Sequence, residues 1–417
     1  MHNVPPINAE RLWHRLMTLS SFTRSDVPWT RRAFSTEFLQ ARAWLQAEFA
    51  TAGLKVALDA GGNLTGRCEG TQAALQPLVT GSHCDTVAGG GRFDGILGVI
   101  AGLEVMQSLR EAGCRLRHPV ELIDFLSEEP SDFGISCVGS RAFSGQLDPS
   151  MLTTTDGAGE TLADAMLRIG ARPQALVQER RGPGDIAAFV ELHIEQGPVL
   201  EHERLPIGVV SHIVGIRRVE LTVTGQPDHA GTTPMDMRRD ALLGAALLIA
   251  AAQRQASAMN GGPHYLVATI GRLGLTPNAA NAVPGTVVMT LEVRSDCERV
   301  LLDFPERLLT SCRNELDALR VHASAAPLTT TRPTRCAPLV MEAIERASDR
   351  LGLAHRRLPS GAGHDAMYLA STGPMGMIFV PCRGGRSHCP EEWIAPDQAA
   401  AGARVLAATI LELDDAC

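Results

Sequence analysis

Apolar positions recur at helical spacing from Ala9 to about Ala52, interrupted by the polar stretch "TRSDVPWTRR". That spacing predicts two helices around a loop. The next segment, "LKVALDAGGNLTGRCEG", alternates apolar with polar and turns at a Gly pair, the pattern of a hairpin. Three short apolar runs follow, and each ends in polar chemistry: "QPLVTGSHCDTV", "HPVELIDFLSEEP" and "AAFVELHIEQGPVLE". Between the first two, "ILGVIAGLEVMQSLREAG" reads as a buried helix that stops at Gly113. Strand–helix–strand alternation of this kind predicts an α/β domain whose ligands gather outside the carboxyl ends of its strands.

The texture changes near Val214. "IRRVELTVTGQPDHAG" has period two, "DMRRDALLGAALLIAAAQRQASA" is a long helix, and "YLVATIGRLGL" and "GTVVMTLEVRS" are strands. "CERVLLDFPERLLTSCRNEL" is helical again, and "RVHASAAPL" closes with a strand. The order β-α-β-β-α-β is that of the split, ferredoxin-like unit. From about Thr329 the α/β texture resumes, with a helix over 337–351, a strand over 375–381 and a last helix from about Asp397. The expected organisation is one α/β domain made of residues 1–213 and 329–417, with a second domain inserted over 214–328.

Composition narrows the function classes. The chain has 417 residues, 45% of them hydrophobic and 20% charged, which is globular usage and long enough for two domains. A net charge of −8 argues against a non-specific nucleic-acid binder. No run reaches the roughly 18 apolar residues of a membrane span, and "MHNVPPINAERLWHRLMTLSSF" lacks the apolar core of a signal peptide. The ten Cys are scattered singly from Cys68 to Cys417, without a CxxC pair. Neither a zinc ribbon nor a disulfide framework is indicated, and the expected compartment is the cytoplasm.

The chemistry lies at the strand ends. In "GSHCDTVAGGGRFDGILGV", His83 and Asp85 alternate and so share a face of an extended segment. A carboxylate two residues on can accept the second N–H of a metal-binding imidazole and fix its tautomer. Glycines 89–91 permit backbone that would let Asp94 turn back toward His83. In "SEEP", Glu128 and Glu129 point in different directions, so one can bind a cation while the other faces a water as general base. An EE pair in a loop is ordinarily a solvated acidic turn, but this one follows a nearly all-apolar strand. His193 and His388 stand at two further strand ends, although a single His is more often structural than a ligand. Three His, one Asp and one Glu together are the donor set for two zinc-class ions bridged by one carboxylate. Cys84 and Cys389 each follow a His of this set, so they point away from it and read as packing residues.

Five ordered motifs, "SHCDTVAGGGRFDGILGV", "SEEP", "HIEQGPVLE", "DHAGTTPM" and "SHCPEE", together resemble the M20 metallopeptidase family. More narrowly they resemble its amidohydrolase branch of N-carbamoyl-L-amino-acid hydrolases, β-ureidopropionases and allantoate amidohydrolases. The resemblance covers nearly the whole chain. It implies a zinc-peptidase-like α/β catalytic domain carrying an inserted ferredoxin-like lid that also builds a homodimer. It further implies two divalent ions per subunit, zinc or else manganese, cobalt or nickel, with His83 and His193 on different metals. Asp94 would bridge them, Glu129 and His388 would complete the set, and Glu128 would be the general base with Asp85 behind His83.

In the inserted domain the resemblance makes His229 the group that polarises the scissile carbonyl and Asn281 with Arg294 the substrate-binding pair. Loop or exposed-strand roles are the alternatives for His229 and Arg294. Gln196 would meet the ureido group and His364 would lie close to the substrate. Some lid residues would act in the neighbouring subunit, and hinges are expected near 212–216 and 326–331.

The implied reaction converts an N-carbamoyl-L-amino acid to the amino acid, CO₂ and ammonia. Allantoate or ureidoglycolate hydrolysis is the first rival, and dipeptide or N-acyl cleavage the more distant one. A scaffold that had lost catalysis is disfavoured, because all five ligands and Glu128 are present. Two departures bear on specificity. "PSDFGISCVGSRA" replaces a GSRF-type segment after the Glu pair, bringing Pro130 and Asp132, and Arg386 stands where an apolar residue is usual.

Overall fold

Four runs in which every residue is buried lie side by side and form the centre of one sheet: β3 (Leu78–His83), β4 (Val120–Phe125), β5 (Ala188–Ile194) and β15 (Met375–Val380). They are mutually parallel in the order β4-β3-β5-β15. Parallel strands covered on both faces are continuous apolar runs for that reason. The hairpin β1 (Lys55–Leu58) and β2 (Leu64–Cys68) adds antiparallel to β4, and β6 (Ile207–Ile213) adds antiparallel to β15. A further strand, β14 (His355–Ser360), pairs with β6.

This computed structural model describes residues 4–417. The chain divides into two units, one reaching Ser211 and resuming over Cys336–Cys417, the other His212–Arg335. No helix among the described residues is long and apolar enough to cross a membrane.

In the first unit α1 (Ala9–Ser21) and α2 (Thr36–Thr51) precede the sheet, and α3 (Ile96–Glu111) follows β3. Asn8 and Ser35 cap the first two, each accepting a main-chain N–H of the first turn. Every residue of α3 from Ile96 to Leu109 is buried, as expected of a helix apolar on all sides. It rests on β3, β4 and β5 and is covered in turn by α1 and the last helix, Pro396–Ala416. Its glycines explain how close it comes. A Cβ at Gly98 would stand 2.4 Å from the Leu192 carbonyl oxygen and 2.7 Å from the Ser82 Cβ. Ser82 and Leu192 are the residues before His83 and His193, so this contact supports the strand ends directly.

The second unit runs β7 (Gly215–Thr224), β8 (Asp228–His229), α4 (Ala241–Ala258), β9 (Leu266–Thr276), β10 (Ala282–Val283), β11 (Thr286–Ser295), α5 (Glu298–Ser311), β12 (His322–Thr331) and β13 (Thr334–Arg335). Its sheet is antiparallel in the order β12-β7-β11-β9. Burial alternates along β11, whose inward Val287, Met289, Leu291 and Val293 meet the two helices. Asp240 caps α4 through the Leu242 and Leu243 N–H groups. The ribbon of β8 and β10 continues the β7–β11 pair with a one-residue offset, setting His229 opposite Ala282. Beyond β12 the chain pairs once more, Thr334 with Ile213 and Arg335 with His212, so this unit runs past residue 328.

Gly98→Ala forces a methyl group against backbone that cannot yield, and overpacking of this kind costs about 1–3 kcal/mol. We expect a lower urea midpoint for that variant. Gly271→Ala, where an added Cβ meets nothing within 4 Å, should leave the midpoint unchanged. Equal midpoints for the two variants would contradict the close approach of α3.

Candidate metal centre

The ends of two neighbouring strands bring the first histidines together. His83 closes β3, His193 lies one residue from the end of β5, and their rings are 6.1 Å apart. Asp94 comes from the Gly-rich loop before α3. Its Oδ1 lies 3.5 Å from His83 Nε2 and 3.3 Å from His193 Nε2. Its Oδ2 lies 3.3 Å from His388 Nε2, which is 2.9 Å from Glu129 Oε1. Two groups result, His83–Asp94–His193 and Asp94–Glu129–His388, each with donor atoms within 4.8 Å of one another. They share Asp94. His83 and His193 therefore fall in the same group, contrary to the expectation that they serve different metals. The cause is sheet order, since β3 and β5 are adjacent while β4, which leads to Glu129, lies on the other side of β3.

The donors suit a cation of the zinc class. His83 Nδ1–H donates to the Asp85 carbonyl at 3.0 Å, and His193 Nδ1–H to the Ile194 carbonyl at 2.8 Å. A carbonyl can only accept, so both Nε2 atoms carry lone pairs on the side of Asp94, and that of His193 also accepts the Gly95 N–H at 3.2 Å. Nitrogen and carboxylate donors in this mixture are those that zinc and its neighbours take. Asp94 is held well below the usual carboxylate range. Burial pushes the other way, but the charge and hydrogen bonds of His193, with those of His388 and His83, outweigh it. His388 is pushed up to about 11 by its hydrogen bonds to Asp94 and Glu129. Both shifts mark a place that favours positive charge.

Glu191, His193 and His364 form a third cluster, but its atoms are already used. Glu191 accepts from the Ser82 hydroxyl at 2.6 Å and the Ala366 N–H at 3.3 Å, and His364 Nε2 lies 2.8 Å from Ser360 Oγ. We read it as support for the His193 ring, against which His364 packs edge-on at 4.6 Å. Burial, reinforced by His193, pushes the His364 imidazole well below its ordinary value.

Asp85 ties the acidic loop to the histidine strand. Its two carboxylate oxygens accept the main-chain N–H groups of Glu128 at 3.2 Å and Glu129 at 3.1 Å. Glu128 is 8% exposed and stands 3.7 Å from His83 Nε2. Burial, with the nearby Glu129, Asp365 and Asp85 charges, raises its carboxyl well above the usual range, against the pull of His83. Gln196 has a left-handed backbone, φ 57°, and donates its Nε2–H to Asp94 Oδ2 at 2.6 Å. A carboxylate can only accept, which fixes the amide orientation. Its Oε1 is buried and has no partner.

The departures from the family pattern face outward. Asp132 pairs with Arg32 at 2.9 Å and Arg386 with Glu391 at 3.0 Å, while Pro130 is exposed. Cys84 turns away from the centre and donates its thiol to Asp124.

In the second unit His229 is exposed, and its Nδ1 accepts from the Gly231 and Thr232 N–H groups at 3.1 and 3.2 Å, which leaves the proton on Nε2. Asn281 adjoins it, its carbonyl accepting the Ala230 N–H at 2.9 Å. Arg294 lies at the other end of β11, bonded to Glu292 at 2.8 Å. At about 3.4 Å per residue, Thr286 to Arg294 alone spans roughly 27 Å. The structure thus gathers nine of the expected residues in one unit, pairs His229 with Asn281 in the other, and sets Arg294 apart from that pair.

Sequence reasoning missed three buried acids around the centre: Glu191, Asp365 and Glu392. The available signal was a charge inside an otherwise apolar run for Glu191, and for Glu392 a second acid four residues beyond His388.

The family described as Peptidase family M20/M25/M40 matches residues 79–412. The chain is 39% identical over 407 residues to an N-carbamoyl-L-amino-acid amidohydrolase of Paenarthrobacter aurescens, covering 97% of this chain and 98% of the relative. It is 35% identical to a ureidoglycolate hydrolase of Oryza sativa subsp. japonica, covering 98% of this chain and 85% of that protein. Among solved structures, an amidase of the hydantoinase/carbamoylase family from Burkholderia multivorans superposes with a TM-score of 0.91 at 36% identity, covering 98% of each chain. With its matched region containing every strand end that contributes to the two donor groups, the chain belongs to peptidase family M20/M25/M40.

Proposed function

We propose that the protein is a metal-dependent hydrolase that cleaves the C–N bond of an N-carbamoyl-L-amino acid, giving the amino acid, CO₂ and ammonia. The observation that carries this reading is the Gln196 amide. Its NH₂ is committed to Asp94, and its buried Oε1 lacks a partner. A ureido group presents N–H donors beside the scissile bond, whereas an acyl or peptidyl substrate presents carbon at the corresponding place. An unpaired buried acceptor costs about 1–3 kcal/mol, so the site favours the substrate that satisfies it. The name of the Paenarthrobacter relative agrees. Ureidoglycolate or allantoate hydrolysis is the second reading, favoured by the rice relative, because both substrates also carry ureido groups.

When bound between the two donor groups, a pair of divalent ions, zinc or else manganese, cobalt or nickel, would polarise the carbamoyl oxygen and acidify a water. The residues of the chain supply the rest. Glu128 takes a proton from the attacking water and returns it to the leaving nitrogen. His229, its proton fixed on Nε2, donates to the developing oxyanion. Arg294 clamps the α-carboxylate with Asn281 as a further donor, Gln196 accepts from the ureido group, and His364 backs the His193 ring close to the substrate. Asp85 holds both His83 and the Glu128–Glu129 loop.

We assign the inserted unit as a ferredoxin-like lid and dimerisation domain, moving about the chain crossings at 211–212 and 335–336. Its apolar Val267 and Leu273 on the edge strand β9, with Leu242, Leu243 and Ile249 on α4, are exposed and suit a second copy. His229, on the two-stranded ribbon of β8 and β10, and Arg294, at the far end of β11 in the four-stranded sheet, stand too far apart to touch one small substrate. That separation supports a site built from the Arg294 of one subunit and the His229–Asn281 pair of its partner. Ten cysteines without a disulfide support a reducing, cytoplasmic compartment.

A panel of N-carbamoyl-L-amino acids, N-carbamoyl-β-alanine, ureidoglycolate, allantoate, N-acetyl amino acids and dipeptides tests the chemistry. Ammonia released from an N-carbamoyl amino acid and abolished by chelator is the expected result. Amine without ammonia would sink the Gln196 argument. Glu128→Gln should lower kcat by at least about 10²–10⁴-fold with metal content intact, the range expected for a lost general base.

Co-expression of His229→Ala with Arg294→Ala tests the shared site. Random pairing leaves one complete site in each mixed dimer, so about a quarter of the parent activity should return. Activity that stays at the level of the single variants would mean that each site draws both residues from one subunit, against the shared site.

A further inference from the structure

The last acid of "SHCPEE" has no role in the scheme above. Glu392 is 0% exposed although it is a carboxylate. Its Oε1 accepts the main-chain N–H groups of Phe93 at 2.7 Å and Asp94 at 3.1 Å. Its Oε2 accepts the Ser387 hydroxyl at 2.7 Å, and the same hydroxyl lies 2.7 Å from Asp94 Oδ2. One side chain therefore links the main chain of Asp94 to the residue that precedes His388. The link has a fitted socket, because a Cβ at Gly91 would lie 1.9 Å from the Glu392 carboxyl carbon. That gives the third glycine of "AGGGRFDG" a steric reason of its own.

The two donor groups depend on this link unequally. His83 and His193 sit on strands of the central sheet, and β3 and β5 hold them with ladder hydrogen bonds. Asp94, Glu129 and His388 all sit on loops. The Phe93 and Asp94 N–H groups precede α3 and have no acceptor in its ladder, so another element must supply one. Glu129 has its own tether in Asp85. Asp94 and His388 come from opposite ends of the sequence, and Glu392 with Ser387 is what fastens one loop to the other.

We propose that Glu392 is a positioning residue that locks the Asp94 loop to the His388 loop, and that the Asp94–Glu129–His388 group binds its cation only when this lock is closed. The second half of the proposal rests on the two-cation reading given above. Loss of Glu392 removes the cation of that group first and leaves the His83–Asp94–His193 group loaded.

Full-length protein stripped with chelator and titrated with Co²⁺ alone tests this. Bound cobalt is counted by elemental analysis, and hydrogen exchange of segments 88–95 and 384–389 is read before metal is added. The parent should take two equivalents. Glu392→Ala should take one and lose protection in both segments. Glu392→Gln keeps an oxygen for the Phe93 and Asp94 N–H groups, so it should keep both equivalents and parent-like exchange; a general folding defect would not be rescued this way. Should Glu392→Ala not fold, Ser387→Ala carries the test by weakening only the second equivalent.

Two equivalents bound to Glu392→Ala at parent affinity would overturn the proposal, as would unchanged exchange in the metal-free variant or, for Ser387→Ala, an unweakened second equivalent. A parent chain that takes fewer than two equivalents overturns the two-cation reading instead, and the metal-free exchange then decides whether the lock exists.

Discussion

Asp94 lies almost wholly out of water, and its two oxygens answer to different neighbours. Oδ1 faces His83 and His193, while Oδ2 meets His388, Gln196 and Ser387. An isolated carboxylate in such a place costs several kcal/mol or gives up its charge. The three histidines, with the Gln196 and Ser387 donors, keep the charge against burial. The sheet brings two histidines from adjacent parallel strands, a loop from β4 brings Glu129, and the loop after β15 brings His388. The glycines of the Asp94 loop follow from the same crowding. A Cβ at Gly95 would stand 2.4 Å from the His83 ring, and the backbone there has φ 68°. Only glycine satisfies both demands.

Behind this first layer stands a second one of buried carboxylates with fixed partners. Asp85 holds the Glu128–Glu129 loop, Glu191 holds Ser82 and Ala366, and Asp365 accepts the Ser140 hydroxyl at 2.5 Å. Burial raises the Glu191 and Asp365 carboxyls above their ordinary values. Farther out, Asp124 at the inner side of β4 is bound by Arg42 of α2 at 2.8 Å and by the Cys84 thiol. Asp85, Glu191 and Asp365 accept from main chain or from a short serine side chain, and Asp124 from a buried arginine. Removing one donor therefore strands a charge instead of merely deleting a contact, which is the expensive direction of change.

How much of this can be read from the sequence follows from which physical signals are local. His83, Asp94, Glu129, His193 and His388 are legible because each ends a continuous apolar run or a glycine-rich turn, and buried parallel strands leave that mark. The long strands and the two long helices of the second unit are legible because period two and period 3.6 alternate there, whereas the two-residue strands β8, β10 and β13 are too short to leave a period. The pairing of the histidines is not legible. It depends on β3 lying between β4 and β5, and strand order leaves no trace in a single strand. Glu191 and Glu392 stay hidden for a different reason: a charge in a strand or a loop normally means solvent, and only the three-dimensional partners show otherwise. The short helices between residues 138 and 179 are too brief for periodicity to register.

The second unit manages charge by another rule. Glu292 is held by Arg218 at 2.6 Å and by Arg294 at 2.8 Å, so two guanidinium groups share one carboxylate. Burial would raise Glu292, but the two arginines keep it below its ordinary value. These three side chains together keep a single positive charge. The Arg294 guanidinium is thereby held in orientation by Glu292. In the separate ribbon of β8 and β10, His229 is held in the same sense, its Nδ1 occupied by two main-chain N–H groups and its remaining proton turned to Nε2. Both groups are set by their own backbone and neighbours, which fixes their geometry within the unit.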